Sequence, residues 1–201
     1  SIFAPQTKRT KEGAWLSPVT GKNYETGLKA DWMDGRLTTN VAVFRIEQEN
    51  AGEEISGVFV NGSSEQAYRA TKGAVGKGAE FEVNGAVTDN LQLTFSATRY
   101  VARDSDGRFN SFAPQTQLKL FSRYRVPALP DLTVGGGVNW QNQVYKDVTG
   151  PDGETQRLYQ GSYPLVDLFA QYQLTKQLAV QANVRNLFDR EYYSYLDDSA
   201  V

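Results

Sequence analysis

Apolar and polar residues alternate with a period of two through most of this 201-residue chain. Between Tyr24 and Trp32, the residues Tyr24, Thr26, Leu28, Ala30 and Trp32 share one parity, and Glu25, Gly27, Lys29 and Asp31 share the other. Further on, Leu118, Leu120, Tyr124 and Val126 oppose Gln117, Lys119, Arg123 and Arg125. Val134, Val138 and Trp140 oppose Thr133, Asn139 and Gln141, and Val180, Ala182 and Val184 oppose Gln181, Asn183 and Arg185. Successive side chains of a strand point to opposite faces, so this pattern predicts strands, and no stretch keeps a helical period. The expected strands cover 23–33, 36–48, 66–87 (with a break), 90–103, 114–126, 131–146, 162–174 and 177–188.

The expected connections alternate in length. Short ones fall at 34–35, 88–90, 127–131 and 175–177, and long ones at 49–65, 104–113 and 147–161. Long strands with tight turns at one end and long polar loops at the other form an antiparallel up-and-down meander, the pattern of an outer-membrane β-barrel. On that reading Leu118, Leu120, Val134, Val138, Val180 and Val184 face lipid, with Trp140 beside them. Lys119, Arg123, Gln141 and Arg185 face a wet lumen. The inward set is too polar for the core of a sandwich.

Composition narrows the chemistry. With no His and no Cys, the chain has no thiol nucleophile, no histidine-based triad, no disulfide and none of the commonest zinc ligands. A net charge of -2 gives no electrostatic footprint for nucleic acid. Hydrophobic residues make up 40% of the chain, yet no apolar run approaches the length of a membrane helix. That leaves room for a barrel, whose alternating strands average to a polar composition. Carboxylate pairs such as Glu80 with Glu82 follow from strand alternation, and no catalytic motif accompanies them.

The pentapeptide Phe-Ala-Pro-Gln-Thr occurs twice, at 3–7 and 112–116. Two copies with different flanks and no third do not make a structural repeat. Both are expected at strand–loop junctions, the second where Pro114 leads into a strand that needs no donor at that point.

Several segments carry a resemblance: "SIFAPQT" (1–7), "GKNYETGLKADWMDGRLTTNVAVFRIEQEN" (21–50), "GKGAEFEVNGAVTDNLQLTFSATRY" (76–100), "LTVGGGVNWQ" (132–141) and "LAVQANVRNLFDREYYS" (178–194). Their order and spacing are similar to the C-terminal barrel of TonB-dependent siderophore receptors, above all the group that takes up ferric pyoverdine, coprogen and ferrioxamine. The resemblance implies an all-β chain, residues 1–201 being part of a twenty-two-stranded transmembrane barrel. The plug with its TonB box, the first part of the barrel and the last strand are expected to be absent from it. It implies the binding and import of a ferric siderophore, with TonB engaged through that plug and lipid around the barrel. No cofactor is expected, because the iron stays ligated by the siderophore. Two rivals are a passive porin-like or adhesin-like barrel, told apart by a plug and TonB box, and a soluble all-β binding domain.

The candidate ligand-binding residues are Tyr145, Gln143, Gln141, Tyr100, Tyr163, Gln117 and Arg103. Tyr100, Tyr145, Tyr159 and Tyr163 fall near strand ends beside long loops, where they suit either a siderophore platform or the aromatic girdle of a membrane interface. Tyr145 shares parity with Gln141 and Gln143, which turns it toward the lumen. Gln117, Gln141, Gln143 and Asp167 suit hydrogen bonding to a ligand or the lining of a hydrated interior. Arg103 and Arg108 flank an acidic loop and could attract an anionic chelate.

Overall fold

The computed structural model describes residues 2–104, 106–109, 111, 113–149, 153–193 and 196. Every regular element among them is a strand: β1 (Ile2–Ala4), β2 (Val19–Trp32), β3 (Leu37–Glu49), β4 (Ala51–Phe59), β5 (Gln66–Thr71), β6 (Val75–Ala86), β7 (Leu91–Arg103), β8 (Thr116–Arg125), β9 (Leu132–Gln141), β10 (Val144–Thr149), β11 (Thr155–Gln160), β12 (Tyr163–Gln173) and β13 (Ala179–Val184). Nine of them form one sheet in the order β1-β2-β3-β6-β7-β8-β9-β12-β13, and β4-β5 and β10-β11 are separate two-stranded hairpins. The chain divides into two compact units, residues 1–26, 43–78 and 101–110 in the first and 27–42, 79–100 and 111–201 in the second.

In the first unit, β1 pairs antiparallel with β2, Phe3 opposite Thr20. Asn50 sits in the left-handed region at φ 59, a conformation asparagine tolerates, and separates β3 from β4. The β4–β5 register shifts between Glu54 and Phe59. There Gln66 Nε2 donates to the carbonyls of Ile55 and Val58 at 2.6 and 2.9 Å, satisfying groups that the irregularity takes out of the ladder. Leu16, Val60 and Ala67 form the buried apolar centre of this unit. Arg9 lies over the Trp15 ring at 4.0 Å and Lys8 over the Tyr68 ring at 4.9 Å.

In the second unit the short turns line up along one edge. Arg36 pairs with Asp89 at 2.8 Å, Arg125 N donates to Asn90 O at 2.9 Å and Gln173 N to Asp131 O at 2.9 Å. Two of these turns use the same device. Thr88 Oγ1 accepts from the amides of Asn90 and Leu91, and Thr175 Oγ1 accepts from those of Gln177 and Leu178. Gly85 approaches the 33–36 turn so closely that a Cβ there would lie 2.0 Å from Arg36 O, and its φ is +146.

The registers sort side chains by face, because directly opposed residues point the same way. One face carries Phe95, Leu120, Val138 and Val166 in a row across β7, β8, β9 and β12. Leu118, Val134, Val180 and Val184 lie on that same face, with Trp140 beside Leu118. The other face carries Gln117, Lys119, Arg123, Asn139, Gln141 and Asp167. This is the segregation that the alternation predicts. The apolar face is uncovered, with Leu168 45% and Val180 54% exposed. No second sheet lies on it among the described residues.

The polar face holds one apolar feature. Phe121 of β8 and Phe169 of β12 stack with ring centroids 5.7 Å apart, nearly parallel. Their strands flank β9 and are two strand spacings apart, about 9–10 Å. The rings reach toward each other across β9, where the facing residues are Gly135 and Gly137. A Cβ at Gly135 would lie 2.3 Å from Phe169 Cε1 and 2.3 Å from Ser122 O.

Three expectations from the pattern are corrected. The break expected within 66–87 falls between β5 and β6, but the expected loop 49–65 holds β4, and β5 leaves the main sheet to pair with it. The expected strand 131–146 ends at Gln141, and Val144 opens β10, which pairs with β11 inside the expected loop 147–161. The break has a local cause. Asn142 Oδ1 accepts from Thr116 N at 2.9 Å and Asn142 N donates to Thr116 O at 3.0 Å, closing β9 against the first residue of β8. The strand expected at 177–188 stops at Val184, because Asn186 and Asp189 adopt φ near +49. The first copy of the pentapeptide ends a strand at Ala4, whereas the second precedes one at Thr116; Phe112 lies outside the described residues.

Candidate functional site

Four of the candidate residues gather at the end of the second unit away from the short turns. Gln117 of β8, Gln141 of β9 and Tyr163 of β12 are direct register partners and form one row on the polar face. Tyr100 lies two residues beyond Thr98, the partner of Gln117, so it shares that face, and its amide donates to Gln115 O at 2.7 Å. Tyr163 is buried at 5% exposure, its ring stacked on Tyr192 at 4.7 Å. The accessible ring at that point is therefore Tyr192, a residue that parity did not single out.

Tyr192 is placed by the Asn-Leu-Phe-Asp-Arg segment. Asp167 Oδ1 accepts from Asn186 N at 2.9 Å, and Leu187 N donates to Val166 O at 2.8 Å. The Asn186 side chain then spans the bend, accepting from Arg190 N at 2.9 Å and donating to Arg190 O at 3.1 Å. Tyr193 N donates to Gln160 Oε1 at 2.9 Å, which ties the segment to β11. Asp167, weighed above as a ligand-contacting or lumen-lining group, holds this bend.

Tyr145 and Gln143 lie elsewhere than parity placed them. The β10–β11 hairpin stands between β9 and β12 with its own register, Tyr145 opposite Tyr159 and Asp147 opposite Arg157. Its other face is anchored by Val144, Val148 and Gln160, all buried. The exposed face is a connected set. Arg157 Nε and Nη2 donate to the two carboxylate oxygens of Asp147 at 2.7 and 2.9 Å. The same guanidinium lies 4.2 Å from the centre of the Tyr145 ring. Tyr159 Oη donates to Gln143 Oε1 at 3.0 Å. The bidentate pair holds the Asp147 carboxyl below its ordinary value and the Arg157 guanidinium above its own. One face of Tyr145 is thus covered by Arg157, while Tyr159 is 55% exposed.

Arg103 belongs to the first unit and is engaged there. Its Nη1 donates to Gly107 O at 2.9 Å, and its guanidinium lies 5.9 Å from the Phe109 ring. Asp104 Oδ1 accepts from the amides of Asp106 and Arg108, so this carboxylate closes its own turn. Among the described residues no three His, Cys, Asp or Glu side chains converge as metal ligands do.

Taken together, these elements are one uncovered apolar sheet face, one polar face ending in amides and aromatics, and a polar hairpin above β9 and β12. A family model described as TonB dependent receptor-like, beta-barrel matches residues 4–187. The chain belongs to that family. It is 38% identical over 201 residues to the ferripyoverdine receptor of Pseudomonas aeruginosa, an alignment covering 96% of this chain and 24% of that protein. It is 29% identical over 204 residues to the ferrioxamine B receptor of Salmonella typhimurium, covering 96% of this chain and 27% of that protein. The crystal structure of the ferripyoverdine receptor of the outer membrane of P. aeruginosa, bound to ferripyoverdine, superposes with a TM-score of 0.85 at 38% identity. That match covers 96% of this chain and 26% of the other. The chain thus spans about a quarter of the length of the curated relatives it matches. Family membership makes it an outer-membrane β-barrel sequence, and the uncovered apolar face is the one that the alternation assigns to lipid.

Proposed function

We propose that this chain is part of the barrel of an outer-membrane receptor that binds and imports a ferric siderophore. The observation that carries the proposal is the 38% identity to a ferripyoverdine receptor across nearly the whole chain, with the same fold. The part proposed is the C-terminal portion of the barrel, with a plug supplied by the rest of the receptor and engaged by TonB. Tyr100, Gln117 and Gln141 on the sheet, with Tyr192 over Tyr163, would offer amides and rings to one side of a chelate. Gln143, Tyr145 and Tyr159 would do so from the hairpin. Arg103, in the first unit, is proposed separately as a residue that attracts an anion by charge. A flat ring with one hydroxyl suits a bulky, partly polar ligand. The work is transport, with no catalytic residue and no resident cofactor, the iron arriving as cargo inside the siderophore.

The test uses the full-length receptor that carries this sequence. Purified protein in detergent is titrated with ferripyoverdine and with ferrioxamine B, and uptake of labelled iron is followed in cells with and without TonB. Saturable binding of one chelate and TonB-dependent uptake are expected. Passive, TonB-independent diffusion of small solutes would favour a porin instead.

A further inference from the structure

Gln160 is a polar side chain in an apolar place. It closes β11 directly opposite Val144, the two residues 7% and 5% exposed, on the hairpin face that also buries Val148. An aliphatic side chain would fill that position at no polar cost, whereas a buried amide is costly unless its groups are paired. Both ends of this amide are engaged: Nε2 donates to Gly161 O at 3.0 Å, and Oε1 accepts from Tyr193 N at 2.9 Å. The first bond reaches only the next residue. The second joins residues 33 apart and ties the base of the hairpin to the segment that carries Tyr192.

Tyr192 is held between two anchors. Upstream, the Asn186 side chain bonds both main-chain groups of Arg190. Downstream comes the Gln160–Tyr193 bond, and only Glu191 and Tyr192 lie between. The ring rests on Tyr163, which opens β12 just after Gln160. The other strand of the hairpin has its own tether, Tyr145 N donating to Ser111 O at 2.9 Å. All of these groups belong to the second unit, and every contact is internal to it. We propose that Gln160 is a positioning residue: its side chain sets Tyr192 against the base of the β10–β11 hairpin and makes the two order together. Order gained at the hairpin then carries to Tyr192, and the reverse, because both share one bond. The rings of hairpin and bend thus form one preorganised surface, which lowers the entropy cost of binding compared with two independent loops. That last consequence rests on the receptor reading, whereas the link itself does not.

The experiment follows amide exchange by mass spectrometry in the full-length receptor in detergent, as wild type, Q160M and Q160E. Methionine keeps the volume and loses the acceptor, while glutamate keeps an oxygen for the Tyr193 amide. In Q160M the amides of β10–β11 and of 186–193 are expected to exchange about fivefold faster or more, with β8 at the wild-type rate and Q160E closer to wild type. Unchanged exchange in either segment would overturn the link, and a rise spread equally over β8 would reduce Gln160 to core packing. Titration of the same preparations reads the positioning. With whichever of ferripyoverdine and ferrioxamine B saturates the wild type, Tyr192→Ala is expected to weaken binding about fivefold or more there, and much less in Q160M, where the ring is already released. An equal loss in both backgrounds, or none in the wild type, would overturn the positioning role. Binding of neither chelate would remove the receptor reading and leave exchange to decide the link. If Q160M does not fold, Y193P takes its place, deleting the donor at an exposed residue and leaving the buried glutamine intact.

Discussion

Tyr145 illustrates how much one side chain depends on its neighbours. Its ring lies under Arg157, and Arg157 stays there because Asp147 holds both arms of its fork. Tyr145→Ala in the full-length receptor is expected to weaken ferric siderophore binding by more than about 1 kcal/mol, as for a hot-spot aromatic. Unchanged affinity with normal expression would return the residue to a structural role. Asp147 also sets a pH dependence. Its folded pKa is depressed by the Arg157 hydrogen bonds, so the stabilising contribution is present above the unfolded value and is lost as pH falls through the folded one. Hairpin order, followed by amide exchange at β10 and β11, is expected to hold at neutral pH and to loosen below about pH 4. Asp147→Asn should abolish that acid transition, and its persistence in the variant would assign it to another group.

At the scale of elements, the two faces of the sheet make a direct comparison possible. Val138→Arg on the apolar face of β9 is expected to cost about 2–4 kcal/mol in a folding titration, and Gln141→Arg on the polar face much less. Equal costs would contradict a lipid-facing surface. Gly85→Ala should be destabilising by more than about 1 kcal/mol, since it combines a positive φ with a collision against the Arg36 carbonyl. The strands of the main sheet and their facing were legible because period-two alternation survives wherever one face meets lipid and the other water. The two hairpins were not. The exposed face of β10–β11 is polar and aromatic, and the sequence "TGPDGE" at 149–154 reads as loop. The tie between Asn142 and Thr116 that splits 131–146 joins residues 26 apart in sequence. For the same reason Tyr145 was legible as a candidate but on the wrong element, while Tyr192 depended on a bend anchored by Asp167.

At the scale of the whole molecule, the uncovered apolar face decides how this polypeptide behaves in solution. Residues 1–201 expressed alone are expected to require detergent, because large side chains such as Leu168, Tyr172, Val180 and Val184 stand exposed together. A stable monomer at micromolar concentration in plain buffer, seen by sedimentation, would point back to a soluble β domain.

The glycine run of β9 has a mechanical side. At residues 135–137 the wall has no side chains of its own; the two phenylalanine rings lie over it on the polar face, and the Leu168 side chain lies against Gly136 on the other. Sheets stiffen through the side chains that brace neighbouring strands, and a stretch without them bends most easily. β9 is therefore a crease, and the stacked rings are a hasp across it. Opening the ring pair would let the sheet flex about that line, while closing it fixes the local curvature. Gly135→Val, which would force the rings apart, should show itself first as altered wall curvature and looser exchange along β8 and β12, before any change at the ligand-facing residues.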